Sequence, residues 1–120
     1  TGKSSDYFAS AKLRRNSAHD EAAEILNKVI KDSSSDASAV KEATAALKAL
    51  SNAIKLEGDI EVLIKAKTGG DCVVIINNNS AEVIVAKGAL NDTVILQIKE
   101  IVLKQTGFSA ENITIVELSS

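Results

Sequence analysis

The side chains best suited to catalysis in this sequence are its single histidine, His19, and its single cysteine, Cys72. A thiolate–imidazole pair needs a third group that orients the base, and the sequence indicates no such residue. His19 stands beside Asp20 on a predicted helix, so we interpret it as a solvated side chain. Cys72 lies in an apolar run, where a buried free thiol is the simpler interpretation. The sequence therefore predicts no catalytic residue and no enzymatic activity.

Metal, cofactor and nucleic-acid sites find equally little support. One histidine and one cysteine do not provide the ligand spacing of a zinc site. The glycine pair at 69–70 is too short for a phosphate-binding loop. It also follows a predicted helix, whereas such loops follow a strand. We interpret Lys12, Arg14 and Arg15 as a solvated helix face. The net charge of −2 gives no field that favours nucleic acid or an anionic membrane, so we predict no metal, no cofactor and no nucleic-acid partner.

Length and composition limit the chain to one domain with a modest core, since it has 120 residues of which 45% are hydrophobic. Neither a signal peptide nor an apolar stretch of about 18 residues, the length of a membrane span, is present. The start at Thr1 and Gly2, without methionine, suggests a piece of a longer protein. An anchor upstream of Thr1 is therefore compatible with the sequence.

The clearest indication of how the chain is organised is a shift of the apolar face along one predicted helix, which we call the slip. Apolar residues recur at spacings of three and four as Val40, Ala43, Leu47, Leu50 and Ile54. The next positions of this seam are Glu57 and Glu61, and the apolar residues resume on another face as Leu56, Ile60, Leu63 and Ile64. At about 100° per residue the stripe has turned by roughly a third of a circle, with Gly58 at the slip. One helix is thus predicted to pack on a helix before the slip and on a sheet after it.

The remaining elements follow from turns and caps. We predict helices at 5–31 and from about 38 to 67, strands at 72–76 and 82–86, a helix at 93–105 and a strand at 113–118. The fold class is α+β: an N-terminal helical region at 1–57 leads into an α-β-β-α-β module at 58–120. A right-handed crossover makes strand three parallel to strand two, whereas the strand order stays open.

Two apolar surfaces exceed what a lone domain needs. Both faces of strand one are apolar, and Leu96 and Leu103 lie opposite the core stripe of helix three. Two interpretations stay open. These residues are ordinary for a lone domain, or they form surfaces that a partner covers. The candidate partner-binding residues are Cys72, Val73, Val74, Ile75, Ile76, Ile113 and Ile115, on the two possible edge strands, with strand one preferred. Leu96 and Leu103 are the candidates for self-association. The first half of helix one has few large apolar residues, so we predict that the core does not need it.

An α-β-β-α-β order also suggests a KH-like RNA-binding module. Such modules need a GXXG loop between helices, and single-strand readers use aromatic side chains on strands. The sequence has neither feature, so RNA binding is kept only as the alternative.

The chain resembles the extracytoplasmic part of the stage III sporulation protein AH family. The resemblance rests on the start DYFA at 6–9, the pair Arg14-Arg15, and the segments EVLIKAK at 61–67, DCVVII at 71–76, IKEIVLKQTG at 98–107 and NITI at 112–115. These segments follow one another in the order of the family and span nearly the whole chain.

The resemblance implies a function without catalysis. Family members are mother-cell proteins of endospore-forming bacteria, anchored in the outer forespore membrane by one helix that would precede Thr1. Their extracytoplasmic part binds the LytM-like domain of stage II sporulation protein Q across the intermembrane space. The pair is thought to build a ring or channel, and the module is similar to the ring-building motif of type III secretion basal-body proteins. We expect a monomer in isolation and a ring at the membrane. A regulatory subunit of an enzyme is a further alternative.

Overall fold

Two long helices form the first half of the chain. The computed structural model describes residues 2–119 and the side chains from residue 6 onward. Helix α1 spans Gly2–Lys31 and helix α2 spans Ala37–Thr68, which confirms the predicted helical hairpin. The serine-rich loop between them ends at Asp36, whose carboxylate accepts a 2.7 Å hydrogen bond from the Ala39 N–H and caps α2. Helix α1 starts earlier than residue 5, where the sequence predicts its beginning.

Helix α2 runs through the slip without a break. It packs on α1, on β1 and on α3. As the slip predicted, Ile60 and Ile64 face the sheet, but α1 also contacts α2 past the slip, at Glu61. It ends at Gly69, which adopts the left-handed conformation with φ 79° and donates its N–H to the Lys65 carbonyl. The predicted division between residues 57 and 58 falls within this continuous helix and stays a prediction.

A three-stranded mixed sheet forms the second half. Strands β1 (Cys72–Asn77) and β2 (Ser80–Val85) are antiparallel, and β3 (Ile113–Glu117) lies parallel to β2 after helix α3 (Asp92–Thr106). Asn78 has φ 56° in the tight turn between β1 and β2, as expected of asparagine there. The strand order β1-β2-β3 leaves β1 and β3 as the two edges.

The main core lies between the sheet and the pair α2 and α3. The slip brings Ile60 and Ile64 of α2 into this layer, where Ile98 and Val102 of α3 join them. The strands contribute Cys72, Val74, Ile76, Ala81, Val83, Val85 and Ile113. Alternate residues of each strand therefore face the helices, as the period of a strand requires.

A second apolar cluster covers the opposite face of the sheet. Phe8 of α1 is 3% exposed and packs with Val73 and Ile84, which point away from α2 and α3. The expectation that the first half of α1 contributes little to the core is therefore wrong. Phe8 is the buried large apolar residue of this half of α1, because the helix crosses to the face of the sheet that α2 and α3 leave open. No helix within residues 2–119 is long and apolar enough to cross a bilayer.

Candidate functional site

A cluster of charged side chains lies where α1, α2 and β1 meet. Arg15 and His19 stand one turn apart on α1, and Glu57 and Glu61 stand one turn apart on α2. Arg15 Nη1 donates to Glu61 Oε2 over 2.6 Å, and Arg15 Nε lies 3.3 Å from Glu57 Oε1. His19 Nε2 lies 2.8 Å from the same Glu57 oxygen. The basic residue and the histidine of α1 thus face the two glutamates of α2, and each pair is spaced four residues apart.

The carboxylates of this cluster also bind the main chain of β1. Glu57 Oε2 accepts from the Ile76 N–H and Glu61 Oε2 accepts from the Val74 N–H, each over 2.8 Å. Arg15 Nη1 donates to the Val74 carbonyl over 2.7 Å. In the antiparallel register the N–H and C=O groups of Val74 and Ile76 point away from β2. The cluster therefore occupies the outer edge of β1.

The interpretation of His19 as a solvated side chain is wrong, and so is that of Arg15. Their side chains are only 16% and 11% exposed, because α1 continues alongside α2 past the slip. Arg14, in contrast, is exposed, as expected of a solvated side chain. A signal was available in the sequence: a basic residue and a histidine four apart on one helix match two glutamates four apart on the seam of the next.

The Cys72 thiol is buried and unreactive. Burial raises its pKa from the ordinary 9.0 to about 12, and the negative charge of Glu61 adds to this effect. The thiolate is the nucleophilic form, so at neutral pH the thiol is almost wholly in its unreactive form. His19 binds Glu57, and no hydrogen bond joins His19 to Cys72 in the described residues.

The apolar surface of β1 is not spare. Cys72, Val74 and Ile76 face α2 and α3, while Val73 is covered by α1. Of the two interpretations that the sequence left open for strand one, burial within the chain applies to Val73, because α1 supplies a layer on this face. Whether a partner contacts these residues stays a prediction, as it does for Ile75, Ile113 and Ile115.

The other edge of the sheet, on β3, is built differently. The Leu118 N–H donates to the Val85 carbonyl over 2.9 Å, and in a parallel ladder alternate residues share this orientation. The N–H and C=O groups of Ile115 and Glu117 consequently face away from β2. Among the described residues, no side chain donates to or accepts from these main-chain groups. Val116 is 37% exposed on the open face beside them.

A second exposed apolar feature lies on the helical layer. Leu96 and Leu103 of α3 are 59% and 36% exposed, and Val62 and Leu63 of α2 are exposed as well. A cleft of about 340 Å³ separates the two helices. It is lined by Leu63, Ala66, Lys67, Gln97, Glu100, Ile101 and Lys104. The prediction that Leu96 and Leu103 take part in self-association thus keeps its physical basis.

A comparison with protein families identifies the chain. The model of the SpoIIIAH-like protein family matches residues 1–115. The chain belongs to the SpoIIIAH-like family. Among proteins with curated descriptions, none matches it.

The solved structures that resemble this SpoIIIAH-like chain include the following two. One is described as the structure of the SpoIIQ-SpoIIIAH pore forming complex; it has a TM-score of 0.84 and 22% identity, over 95% of this chain and 98% of the other. The second is the type III secretion system protein EscJ of enteropathogenic E. coli, with a TM-score of 0.52 and 32% identity over 62% of this chain and 52% of the other. The first establishes the fold, and both agree with the α+β class and the ring-building resemblance.

The SpoIIIAH-like chain also has a groove of about 770 Å³ between the helical hairpin and the sheet. Small alanine side chains line much of it, and its walls include Arg15 and His19, whose polar atoms are already bound to glutamates. No group of three His, Cys, Asp or Glu side chains in the described part of the chain could hold a metal ion. The geometry of the charged cluster is that of a structural bond network between helices and sheet.

Proposed function

We propose that this domain is a non-enzymatic binding module of a sporulation membrane protein, and that its partner is the LytM-like domain of stage II sporulation protein Q. Family membership and the likeness to a chain solved in a SpoIIQ-SpoIIIAH complex support this proposal. The observation that carries it is the open edge of β3, because unpaired backbone groups on an edge strand can bind a strand of another chain.

The structure changes which edge we favour. The sequence favoured strand one, but on β1 both outward main-chain groups of Val74 and the outward N–H of Ile76 are already bound by side chains of α1 and α2. Among the residues that the structure describes, no side chain binds the outward main-chain groups of β3 at Ile115 and Glu117. We therefore place the partner contact at β3, with the main-chain groups of Ile115 and Glu117 as its components. The candidate Ile113 is buried, and its N–H already donates to the Ala110 carbonyl.

Self-association forms the second part of the proposal. The exposed pair Leu96 and Leu103 lies on α3, on the helical layer, and β3 lies at the edge of the sheet, so both surfaces can be used together. Two leucine side chains bury enough apolar area for about 3 kcal/mol before the entropic cost of association. This suffices for assembly in a crowded membrane plane and leaves the isolated domain monomeric.

The cellular setting belongs to the same proposal. We place the domain on the extracytoplasmic side of the outer forespore membrane, held by an anchor upstream of Thr1. There the complex with protein Q would bridge the intermembrane space as part of a ring or channel. The resemblance to the sporulation family and the EscJ likeness support this assignment.

Calorimetric titration with the purified LytM-like domain of protein Q tests the partner. Val116→Asp places a charge on the exposed face of β3 and should weaken binding at least about tenfold, or 1.4 kcal/mol. Val62→Asp is the matched control, because Val62 is 68% exposed and belongs to α2, not to β3. Circular dichroism verifies that both variants fold. Parent-like affinity of Val116→Asp, or no binding by the parent chain, would contradict the proposal.

A further inference from the structure

The two edges of the sheet are treated unequally by the rest of the chain. An edge strand is a template for unwanted pairing, and proteins cover or charge such edges. At β1 three main-chain groups are bound by side chains: the N–H of Val74, the C=O of Val74 and the N–H of Ile76. At β3 the corresponding groups of Ile115 and Glu117 face outward without such partners among the described residues.

The carboxylates fit the edge of β1 because helix and strand spacings coincide. Residues four apart on a helix are separated by about 6 Å along its axis, and residues two apart on a strand by about 6.6 Å. Glu57 and Glu61 therefore meet Ile76 and Val74 in succession, since α2 runs antiparallel to β1. Each glutamate presents an oxygen where a neighbouring strand would present a carbonyl.

Charge balance makes this arrangement durable. Glu57 is 1% exposed and Glu61 has an 11% exposed side chain, so unpaired carboxylates there would be costly. Arg15 binds both, His19 binds Glu57, and Lys12 lies 3.9 Å from Glu61. No buried side-chain nitrogen or oxygen in the described residues lacks a hydrogen-bond partner. The N–H and C=O of Val74 and the N–H of Ile76 are thus bound by side chains that α1 and α2 supply jointly.

We infer that Glu57, Glu61 and Arg15 take the place of a fourth strand at β1, so that the sheet accepts an added strand at β3 alone. The role of β3 as acceptor rests on the proposed function, whereas the closure of β1 does not. The domain then has one acceptor edge. It binds one strand from a partner and does not extend end to end with copies of itself, because no second edge is open to the bare β3 of another copy.

The character of the accepted segment follows from the surroundings of β3. A strand beside β3 would set alternate side chains against Ile115, which packs on the core, and against the exposed Val116. Glu111 precedes β3 and Glu117 ends it, and both are exposed. The fitting partner is therefore an extended segment with apolar residues at alternate positions and Lys or Arg at its ends.

Amide hydrogen exchange of the intact chain, followed residue by residue by NMR, tests the closure directly. The Val74 and Ile76 amides should be protected within about tenfold of Val83 in the central strand, whereas Ile115 and Glu117 should exchange at least about a hundredfold faster. Equal exchange of Val74, Ile76 and Ile115 would overturn the inference.

Two variants of Glu61 separate its role as an acceptor from its role in packing. Glu61→Gln keeps a carbonyl oxygen for the Val74 N–H and should preserve its protection within about tenfold, whereas Glu61→Leu should speed its exchange more than about tenfold. Ile76 is the internal control, because Glu57 holds it in both variants. Unchanged exchange of Val74 in Glu61→Leu would contradict the inference. If that variant does not fold, the exchange of the parent chain still decides.

Addition of the LytM-like domain of protein Q tests the acceptor edge. Ile115 and Glu117 should become protected at least about tenfold while Val74 and Ile76 stay unchanged. New protection confined to Val74 and Ile76 would overturn the inference although the proposed function holds. Absence of binding would instead contradict the proposed function and the acceptor role of β3, and the exchange in the free chain would then judge the closure of β1 alone.

Discussion

Glu57 Oε2 accepts a 2.8 Å hydrogen bond from the main-chain N–H of Ile76, and this bond joins the middle of a helix to the edge of a sheet. A buried carboxylate is normally unfavourable, but this one is bound by a main-chain amide, a guanidinium and an imidazole. The helical hairpin and the sheet are consequently linked by polar bonds as well as by apolar contacts. Stability and edge closure should depend on the same few side chains.

Removal of the arginine should destabilise the fold. Arg15→Met keeps the aliphatic length but leaves Glu57 and Glu61 without their shared cation, so we expect a loss of about 3 kcal/mol. Arg14→Met, at the exposed neighbouring position, should change the free energy of unfolding by less than about 0.5 kcal/mol. Urea denaturation of both variants measures the difference. Equal effects would show that the buried cluster is not a structural bond network.

The anchor of α1 should matter more than its neighbour. Phe8→Ala opens a cavity between α1 and the sheet and should cost about 3 kcal/mol, because Phe8 packs on Val73 and Ile84. Tyr7→Ala, at a position that is 36% exposed, should cost about 1 kcal/mol or less. Thermal unfolding followed by circular dichroism distinguishes the two. Similar melting temperatures would restore the view that this end of α1 is dispensable.

Two glycines should respond oppositely to alanine. Gly58 lies inside α2, and an added Cβ would meet no atom within 4 Å. Gly58→Ala should therefore stabilise the chain by about 0.5–1 kcal/mol. Gly69 has φ 79° at the end of the same helix, so Gly69→Ala should destabilise it by about 1 kcal/mol. Chemical denaturation gives both values, and a destabilised Gly58→Ala would reveal a constraint that the contacts do not show.

Alkaline conditions should weaken the fold through Cys72. Its pKa is about 12 in the folded chain against 9.0 ordinarily, so folding favours the neutral thiol. The thiol's contribution is full below pH 9 and declines as the pH rises toward 12, by at most about 1.4 kcal/mol per unit. Cys72→Ala lacks this term, so its stability should approach that of the parent between pH 9 and pH 10.5. A constant difference across that range would disprove the effect.

The α3 surface should affect assembly and not folding. Leu96→Asp combined with Leu103→Asp alters two exposed positions, so the free energy of unfolding should change by less than about 1 kcal/mol. When the chain is tethered to vesicles through an N-terminal tag, energy transfer between labelled copies should fall to the level of random encounters. The affinity for the LytM-like domain should stay within about threefold. Undiminished energy transfer would remove Leu96 and Leu103 from the self-association surface.

The fold was largely predictable because its signals are local. Spacings of three and four marked the helices, Gly69 and Gly107 marked their ends, and the stripe that slips near Gly58 predicted the change of partner. The parallel pairing of β3 with β2 followed from the handedness of the crossover. These features depend on backbone geometry and on the period of the apolar residues. A periodic pattern stays recognisable even when a single position departs from it.

The charged cluster was not predictable in the same way. A lone histidine or arginine on a helix is usually solvated, and only the relative rotation of α1 and α2 decides what it faces. Phe8 illustrates the same difficulty, since its burial depends on α1 extending across the far side of the sheet. Glu57 and Glu61 did interrupt the apolar seam, yet their amide partners on β1 come from 13 to 19 residues further along the chain.

The unbroken course of α2 has a mechanical consequence. Helix α2 has 32 residues, about 48 Å, and about 30 Å of it lies beyond Glu57 toward the loop at residues 32–36. Bonds at Glu57 and Glu61 fasten this rod to the sheet, and Arg15 fastens α1 beside it. A load applied at the loop is therefore transmitted to the sheet as torque about the charged cluster, with no hinge in α2 to absorb it. The hairpin is held on the sheet at one end, by the hydrogen bonds of Glu57 and Glu61 and by the apolar contacts of Ile60 and Ile64.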